Sequence, residues 1–171
     1  AAAPAAAEEW VVDPEASSIR FVYSVDGRAA EGVFRAVEGE GAFDPAAPEA
    51  TRLELRIAVR SLDLGDPLET GFALSAGWFD AGTFPVARYR LARLTALGDG
   101  RWEALGDITI KGRTQILRTP VALDLGEDAA RARAEVAFDR TYFGIGGDIG
   151  ALFVDIGETV TVSIDLVARP A

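Results

Sequence analysis

The chain of 171 residues contains no histidine, no cysteine and no methionine. Without His and Cys, the common nitrogen and sulfur ligands of metal ions are missing, and so are the Ser-His and Cys-His pairs that activate nucleophiles. Acid–base chemistry would have to come from carboxylates, hydroxyls, arginines and the one lysine, Lys111. The composition therefore predicts a protein that is not an enzyme, uses no catalytic cofactor and holds no metal.

Basic residues are scarce as well: 17 Lys and Arg stand against 27 Asp and Glu, which gives a net charge of −10. Such a charge repels nucleic acid and disfavours anionic membrane surfaces, so neither is an expected partner. Long apolar runs are also lacking, because Arg, Asp, Glu or Gly interrupts each one within a few residues. The chain is thus not expected to span a membrane.

The chain opens with a run of small residues. Residues 1–9 are rich in alanine and are predicted to form a flexible segment ahead of the folded domain. The stretch Ala1–Ala7 resembles what remains after a signal peptide is cleaved, which predicts a periplasmic or secreted protein. An arbitrary boundary of the chain is the alternative interpretation.

Apolar and polar residues alternate along most of the remaining sequence, which is the pattern of strands with one buried face. In the clearest run, Leu53–Arg60, the residues Leu55 and Ile57 share the apolar face. The other predicted strands are 19–25, 131–138 and 160–166, with weaker ones at 29–36, 39–44, 85–95, 101–110 and 114–125. If 29–36 and 39–44 form one strand bent at Gly39 and Gly41, the total is eight.

Tight turns and one helix are predicted to connect these strands. Gly98-Asp99-Gly100 and Lys111-Gly112-Arg113 supply glycine where hairpins need a positive φ. The segment 66–80 breaks the alternation, and Asp66 followed by Pro67 is a helix start signal, so one short helix is expected there. Eight antiparallel strands with one short helix favour a closed all-β barrel. An immunoglobulin-like sandwich is the alternative, but its Cys-Trp-Cys core is absent.

Several polar motifs have both a structural and a functional interpretation. The run Gly144–Gly150 resembles a phosphate loop, but Ile149 stands where the third glycine is needed, so a loop at the barrel rim is favoured. The pairs Asp63 with Asp66 and Asp148 with Asp155 could do acid–base work. In a chain with 27 acidic residues, however, such pairs are expected on a solvated surface.

Arg140 and Lys111 also have both a structural and a functional interpretation. Arg140 shares the inward parity of Val136 and Phe138 at the end of its predicted strand. It is expected either to brace the barrel rim by pairing with a local carboxylate or to contact the headgroup of a ligand, and the bracing role is favoured. Lys111 falls in a predicted hairpin turn, where a buried, activated amine is not expected.

The predicted inner face combines large aromatic residues with small ones. Ala87, Ala104, Ala132 and Ala134 all have inward parity. An eight-stranded barrel has room either for packed side chains or for one ligand. Small residues on several strands favour a cavity for a long, thin, apolar molecule. A filled core, in which these small residues face large ones, is the alternative.

A series of short motifs occurs in a characteristic order between Trp10 and Ala168: Trp10-Val11-Val12-Asp13, Ser18-Ile19-Arg20-Phe21, Gly32-Val33-Phe34, Ala42-Phe43-Asp44-Pro45, Trp78-Phe79-Asp80, Phe84–Tyr89, Gly106–Thr114 and Asp139–Gly146. Because it carries these motifs in this order, the chain resembles the YceI family of polyisoprenoid-binding, lipocalin-like proteins. The resemblance implies an extended antiparallel barrel whose pore holds a polyisoprenoid tail, often of a quinone, and usually a periplasmic location. Many relatives carry a longer segment with a His between Phe21 and Gly32, so the resemblance does not carry over a headgroup preference.

Together these features predict an extended, antiparallel, eight-stranded lipocalin-like barrel over residues 10–169. It is expected to bind and shield or transport a long-chain isoprenoid or isoprenoid quinone. A homodimer and a membrane redox or lipid-delivery protein are partners that the sequence leaves open. The alternatives are a structural or protein-interaction barrel with a filled core and an isoprenoid-modifying enzyme. The residues expected to line the cavity are Phe21, Tyr23, Phe34, Leu55, Ile57, Trp78, Phe79, Tyr89, Trp102, Ala132, Ala134, Val136, Phe138, Arg140, Phe143, Val162 and Ile164.

Overall fold

The computed structural model describes residues 8–44, 46–146 and 154–171. Within these ranges the chain forms strands, one α-helix and 3₁₀ turns at Pro48–Ala50 and Val59–Ser61. The helix is α1 (Pro67–Ala73), and the strands are β1 (Glu8–Val12), β2 (Ser18–Val25), β3 (Arg28–Phe34), β4 (Val37–Phe43), β5 (Arg52–Ala58), β6 (Leu62–Asp63), β7 (Val86–Gly98), β8 (Arg101–Ile110), β9 (Arg113–Leu125), β10 (Ala130–Asp139) and β11 (Thr159–Pro170).

Three of the barrel's long strands each consist of two short strands that lie end to end. β1 and β2 both pair with β11. On their other side, β1 pairs with β4 and β2 pairs with β3. β4 then pairs with β5, and β3 pairs with β6. β5 also pairs with β7, and β7 to β11 pair consecutively, so the sheet closes on itself and has eight long antiparallel strands. The predicted closed barrel is confirmed, and closure removes the exposed strand edges.

The interruptions in neighbouring long strands lie at one level of the barrel. The backbone N–H of Arg35 donates to the carbonyl of Ser61, and that of Ala58 donates to the carbonyl of Ala36. The break between β3 and β4 therefore packs against the break between β5 and β6. The expectation that this strand would bend at Gly39 and Gly41 is wrong, because the break falls at Arg35 and Ala36, before β4 begins.

The glycines of β4 serve close packing instead of bending. A Cβ atom on Gly39 would lie 2.6 Å from the carbonyl oxygen of Glu54 and 2.7 Å from Cδ2 of Leu55. A Cβ on Gly41 would meet the backbone of Arg52 in the same way. Glycine at these inward positions lets the backbone of β5 approach β4 closely and, at Gly39, also leaves space for the side chain of Leu55.

Helix α1 begins where the sequence predicts and ends earlier. The carboxylate of Asp66 accepts hydrogen bonds from the N–H groups of Leu68 and Glu69 at 2.8 and 3.2 Å, so the predicted N-cap is confirmed. The helix ends at Ala73 because its carbonyl accepts from the N–H of Phe79, which folds the following residues into turns. The predicted helical range to residue 80 is thus too long.

The two ends of the barrel differ in construction. The helix end carries α1, the β2–β3 and β8–β9 turns and the turn at 140–146. The hairpin end carries the β7–β8 and β9–β10 turns and the connection from β4 to β5. The predicted tight turns are confirmed, since Asp99, Gly100, Lys111 and Gly112 have φ angles of 55°, 73°, 51° and 75°.

The folded region starts slightly earlier than predicted. β1 begins at Glu8, so Glu8 and Glu9 belong to the sheet, and residues 1–7 lie outside the described ranges. β11 extends to Pro170, and Trp10 of β1 pairs with that residue. No helix in the described part of the chain combines the length and hydropathy needed to cross a membrane.

Candidate ligand cavity

A cavity of about 880 Å³ runs along the inside of the barrel from one end to the other. Phe72 and Trp78 line it at the helix end, and Thr51 and Leu125 line it at the hairpin end. This volume lies in the upper part of the range of roughly 300–1,000 Å³ that is typical of ligand sites. The barrel is therefore hollow, and a filled core does not describe it.

Small side chains account for much of the open space. Ala132 and Ala134 on β10 lie opposite Leu166 and Ile164 of β11, and all four residues line the cavity. Ala87 on β7 and Ala104 on β8 line it as well and are 8% and 5% exposed. The inward parity that the alternating pattern assigned to these alanines is confirmed.

The chemistry of the wall decides what best fills a cavity of this size. Water would find few hydrogen-bond partners along a wall built mostly of apolar side chains, so an apolar ligand is the best-matched occupant.

The structure places all the predicted lining residues on the cavity wall except Trp102. Trp102 packs edge to face on Phe43, with ring centroids 6.0 Å apart, at the hairpin end. Phe43 lines the cavity there, whereas Trp102 is not part of the wall, which differs from the sequence-based assignment. Contact of the other residues with a ligand stays a prediction.

Sequence reasoning missed part of the wall at the hairpin end. Trp10 and Thr51 both line the cavity there, and Thr119 lines it at the middle of β9. The inward pair Trp10 and Val12 flanks the exposed Val11, but this alternation is too short to stand out. Thr51 and Thr119 are polar, so an apolar period-two search passes over them.

An aromatic cluster lies on the cavity wall toward the helix end. Phe34 contacts Phe21 and Phe79 with ring centroids 5.6 Å apart in both pairs, and Phe21 also packs on Tyr23. Gly32 faces the ring of Phe21, and a Cβ at that glycine would collide with it. The cluster therefore depends on an inward glycine on the neighbouring strand.

Helix α1 borders the cavity at this end and exposes apolar side chains to solvent. Leu68 is 84% exposed and Phe72 is 46% exposed, and both also line the cavity. Phe72 packs on Trp78 with ring centroids 5.8 Å apart. The helix end is thus the part of the wall where the cavity lining and the outer surface meet.

Arg140 braces the barrel, which is the role that the sequence analysis favours, but it binds backbone carbonyls and not a carboxylate. Its guanidinium lies 5.6 Å from the ring centroid of Trp78. Four of its five N–H donors bind backbone carbonyls, which leaves little capacity for a ligand headgroup. The acceptors are the carbonyl oxygens of Ile145, Gly146, Ile156 and Gly157, at 2.7, 3.1, 2.8 and 2.9 Å.

Further bonds fasten the turn at 140–146 to the β8–β9 hairpin. Lys111 Nζ donates to the carbonyl of Gly144 at 2.8 Å, and Arg113 Nη1 donates to the carbonyl of Tyr142 at 3.0 Å. The hydroxyl of Tyr142 donates to the carbonyl of Thr114 at 2.7 Å. Lys111 therefore has a structural role. Residues 147–153, which include most of the glycine-rich run, lie outside the described ranges.

The candidate acidic pairs are engaged in local structure where the chain is described. The backbone N–H of Gly65 and, next, the guanidinium of Arg35 hold the pKa of Asp63 below its ordinary value. Asp66 is the cap of α1. Asp148, the partner proposed for Asp155, lies outside the described residues. In the described part of the chain no group of three or more acidic side chains is placed to hold a metal ion.

Two tyrosine hydroxyls on the wall stay protonated over a wide pH range. Burial, with a smaller effect from the carboxylate of Asp107, raises the pKa of Tyr89 to about 12. Burial and, next, the charge of Glu69 also raise the pKa of Tyr23. Both side chains are therefore neutral polar groups in a mostly apolar wall.

A closed antiparallel barrel around one long apolar cavity defines the class of small ligand-binding barrels to which lipocalins belong. Within this class, the family model of the YceI-like domain matches residues 10–168. The chain belongs to this family.

Relatives in sequence and structure agree with this assignment. A UPF0312 protein of Vibrio cholerae serotype O1 is 29% identical over 112 residues, which cover 64% of this chain and 59% of that protein. The chain thus spans about three fifths of the length of the curated relatives it matches. The crystal structure of Burkholderia cenocepacia BcnA superposes with a TM-score of 0.85 at 25% identity, over 91% of this chain and 98% of that one.

A second solved structure shows how widely the fold is shared. A domain from Saccharophagus degradans, described as polyisoprenoid-binding and implicated in plant cell wall breakdown, has a TM-score of 0.79 at 17% identity. The superposition covers 95% of this chain and 98% of that domain. At this identity the likeness concerns the fold alone.

Proposed function

We propose that the protein is a non-enzymatic carrier that binds one long-chain isoprenoid lipid, such as an isoprenoid quinone, and shields it from water. The observation that carries this proposal is the apolar cavity that runs the length of the barrel. Membership of the YceI-like family supports it. So does the description of the Saccharophagus degradans domain as polyisoprenoid-binding.

The dimensions of the barrel favour a long and narrow ligand. β7 and β9 each have 13 residues, about 43 Å of extended chain, so with a strand tilt of roughly 35–45° the barrel is about 30–35 Å tall. Charged residues of the wall lie toward its two ends: Arg140 and Glu69 at the helix end, Arg52 and Arg131 at the hairpin end. A chain with an apolar body and at most a polar terminus fits this distribution.

The energetics favour long chains over short ones. Burying each methylene of a chain stabilises the complex by ~0.8 kcal/mol, so about twenty carbons give a gross gain of roughly 16 kcal/mol. Association and ordering cost about 4–15 kcal/mol, a range that includes the gain of roughly 8 kcal/mol from a ten-carbon chain. The cavity therefore selects for length without recognising individual carbon atoms.

A periplasmic or secreted location is part of the proposal. A carrier that hides an apolar chain from water is needed where that lipid must cross an aqueous compartment between membranes. A membrane redox or lipid-delivery protein, or a second copy of the chain, would then receive the ligand. Fractionation of the native host, followed by immunodetection, tests the location directly.

The experiment for binding is native mass spectrometry of protein purified from its own host, followed by organic extraction. One long-chain isoprenoid per protein molecule is the expected result. Protein that carries no lipid from several hosts would contradict the proposal and favour an interaction barrel. Turnover of the bound lipid that is abolished by Asp63→Asn would instead support the isoprenoid-modifying enzyme.

A further inference from the structure

Two polar side chains of the cavity wall at the helix end have no hydrogen-bond partner in the described part of the chain: Tyr23 on β2 and Glu69 on α1. Both can be reached from open space, because Glu69 is exposed and the described side-chain atoms that are fully buried and unpaired belong to Trp10 and Thr51. A tyrosine hydroxyl that is partly withdrawn from water usually has a partner. The contents of the cavity therefore have to supply the partner of Tyr23.

The connection from β6 to α1 holds the first turn of the helix beside the β2–β3 hairpin. Leu64 packs over Gly32 of β3, where a Cβ atom would lie 2.7 Å from its Cδ2 atom. The N–H of Leu64 donates a hydrogen bond to the hydroxyl of Thr70 at 3.0 Å. This bond ties the start of α1 to the same point on the inner face of β3.

Glu69 and Tyr23 lie on facing sides of this junction. Ala73 of α1 is buried with Phe21, and Tyr23 packs against the same cluster. Glu69 lies one helical turn before Ala73, so it is on the face of α1 that is directed to the cavity mouth. The charge of Glu69 is also a cause of the raised pKa of Tyr23, which shows that the two groups are within electrostatic reach of each other.

The chemistry of the two groups defines what would satisfy both. The neutral hydroxyl of Tyr23 can donate a hydrogen bond, whereas an ionised carboxylate such as that of Glu69 can only accept. A ligand atom that accepts from the first and donates to the second is a hydroxyl oxygen. A carbonyl oxygen can only accept, and a phosphate carries the same sign of charge as Glu69. Arg140 offers little to a phosphate, because four of its five donors bind backbone carbonyls.

We propose that Tyr23 and Glu69 form a subsite at the helix end that binds the hydroxyl of the lipid's headgroup, with Tyr23 donating to the hydroxyl oxygen and the hydroxyl donating to Glu69. The lipid then lies with its headgroup beside α1 and its tail toward the hairpin end. This inference rests on the proposed function. It adds the orientation of the ligand and the class of its headgroup, which is an isoprenoid alcohol or a quinol and not the oxidised quinone.

The test uses geranylgeraniol and its methyl ether on delipidated protein, because the ether keeps the acceptor oxygen and loses the donor. In calorimetry, Glu69→Ala should weaken binding of the alcohol about threefold to tenfold, the range expected for one hydrogen bond, and should leave the affinity for the ether unchanged. Tyr23→Phe should weaken both probes by a similar factor. Glu135→Ala, which removes a carboxylate from the outer face of β10, should change neither affinity.

A second pair of probes separates the two sources of a hydroxyl. Menaquinol and menaquinone that carry the same geranylgeranyl chain are compared under anaerobic conditions, and Glu69→Ala should weaken the quinol only. A loss for both the alcohol and the quinol assigns the subsite to any hydroxyl headgroup, and a loss for the quinol alone assigns it to a quinol. Without ligand, Tyr23→Phe should melt no lower than the parent protein, because its hydroxyl has no partner to lose.

The outcomes distinguish this inference from the proposed function. If no probe binds, the carrier proposal itself fails. If Glu69→Ala leaves the affinities for the alcohol and the quinol unchanged, the carrier stands and the subsite is refuted, as it would be if only water met the two groups. A loss in Tyr89→Phe in place of Tyr23→Phe would put the hydroxyl deeper in the barrel and refute the mouth. Tighter binding of geranylgeranyl phosphate than of the alcohol would refute the neutral headgroup.

Discussion

Ala134 offers a direct test of the hollow barrel. It lies near the middle of β10, between Val121 of β9 and Ile164 of β11, and its methyl group faces the cavity. In a barrel filled by its own side chains, Ala134→Trp would be overpacked and would cost about 1–3 kcal/mol or more. With about 880 Å³ of open space, the indole should instead enter the cavity with little strain.

The same change should block the ligand. An indole at mid-height divides the channel, so a long chain loses contact with part of the wall. If only about five chain carbons are displaced, the loss is roughly 4 kcal/mol, close to a thousandfold in Kd. We therefore expect a variant that folds, keeps its unliganded melting temperature and no longer retains a long-chain lipid.

The assays are the melting temperature of delipidated protein and the lipid stoichiometry by native mass spectrometry. Ala137→Trp is the matched control, because Ala137 lies on the same strand and faces outward. It should change neither quantity by much. A badly destabilised Ala134→Trp variant, with Ala137→Trp intact, would refute the cavity on this strand. Full lipid occupancy of Ala134→Trp would refute the proposed path of the chain.

Three further outcomes are expected. A long-chain isoprenoid quinone at 100 times its Kd should stabilise delipidated protein by about 2.7 kcal/mol, which raises Tm by roughly 5–11 °C. Identical melting curves with and without the quinone would contradict ligand binding. Arg140→Met should lower the free energy of unfolding by about 3 kcal/mol or more, because four backbone carbonyls lose their donor. Arg113→Met, which removes one exposed hydrogen bond, should lower it much less. Equal losses of unfolding free energy in chemical denaturation would contradict the bracing role. The pKa of Tyr89 is raised from 10 to about 12. The neutral hydroxyl therefore stabilises the fold fully below pH 10, and this contribution disappears as the pH rises toward 12. Tyr89→Phe should reduce the fall of Tm between pH 10 and 12, and an unchanged profile of Tm against pH would argue against burial of the hydroxyl.

The bounds of several strands could be predicted from the local alternation of apolar and polar residues alone. β8 spans the predicted range 101–110, and β10 extends the predicted 131–138 by one residue at each end. Their pattern is reliable because one face is packed or lines the cavity while the other meets water, so each inward residue must be apolar. The hairpin turns could be predicted for a similar local reason, since a two-residue connection requires positive φ at Lys111-Gly112.

The errors concern interactions that local pattern does not contain. The break between β3 and β4 depends on hydrogen bonds to the distant turn Val59–Ser61. Trp102 has the inward parity of a lining residue, but it packs on Phe43, which is remote in sequence, and it is not part of the cavity wall. Arg140 could be predicted to brace the barrel, yet its acceptors are carbonyls of segments that only the folded chain brings together.

The amino-acid sequence by itself determined the class of fold, the number of long strands and the apolar, small-residue character of the inner face, because each of these follows from alternation along one strand at a time. Only the tertiary structure decided that the interior is hollow from end to end, and which residues of opposite walls line it. The physical reason is that a cavity and its polar groups are defined by side chains from opposite walls, whose distances depend on how the sheet closes.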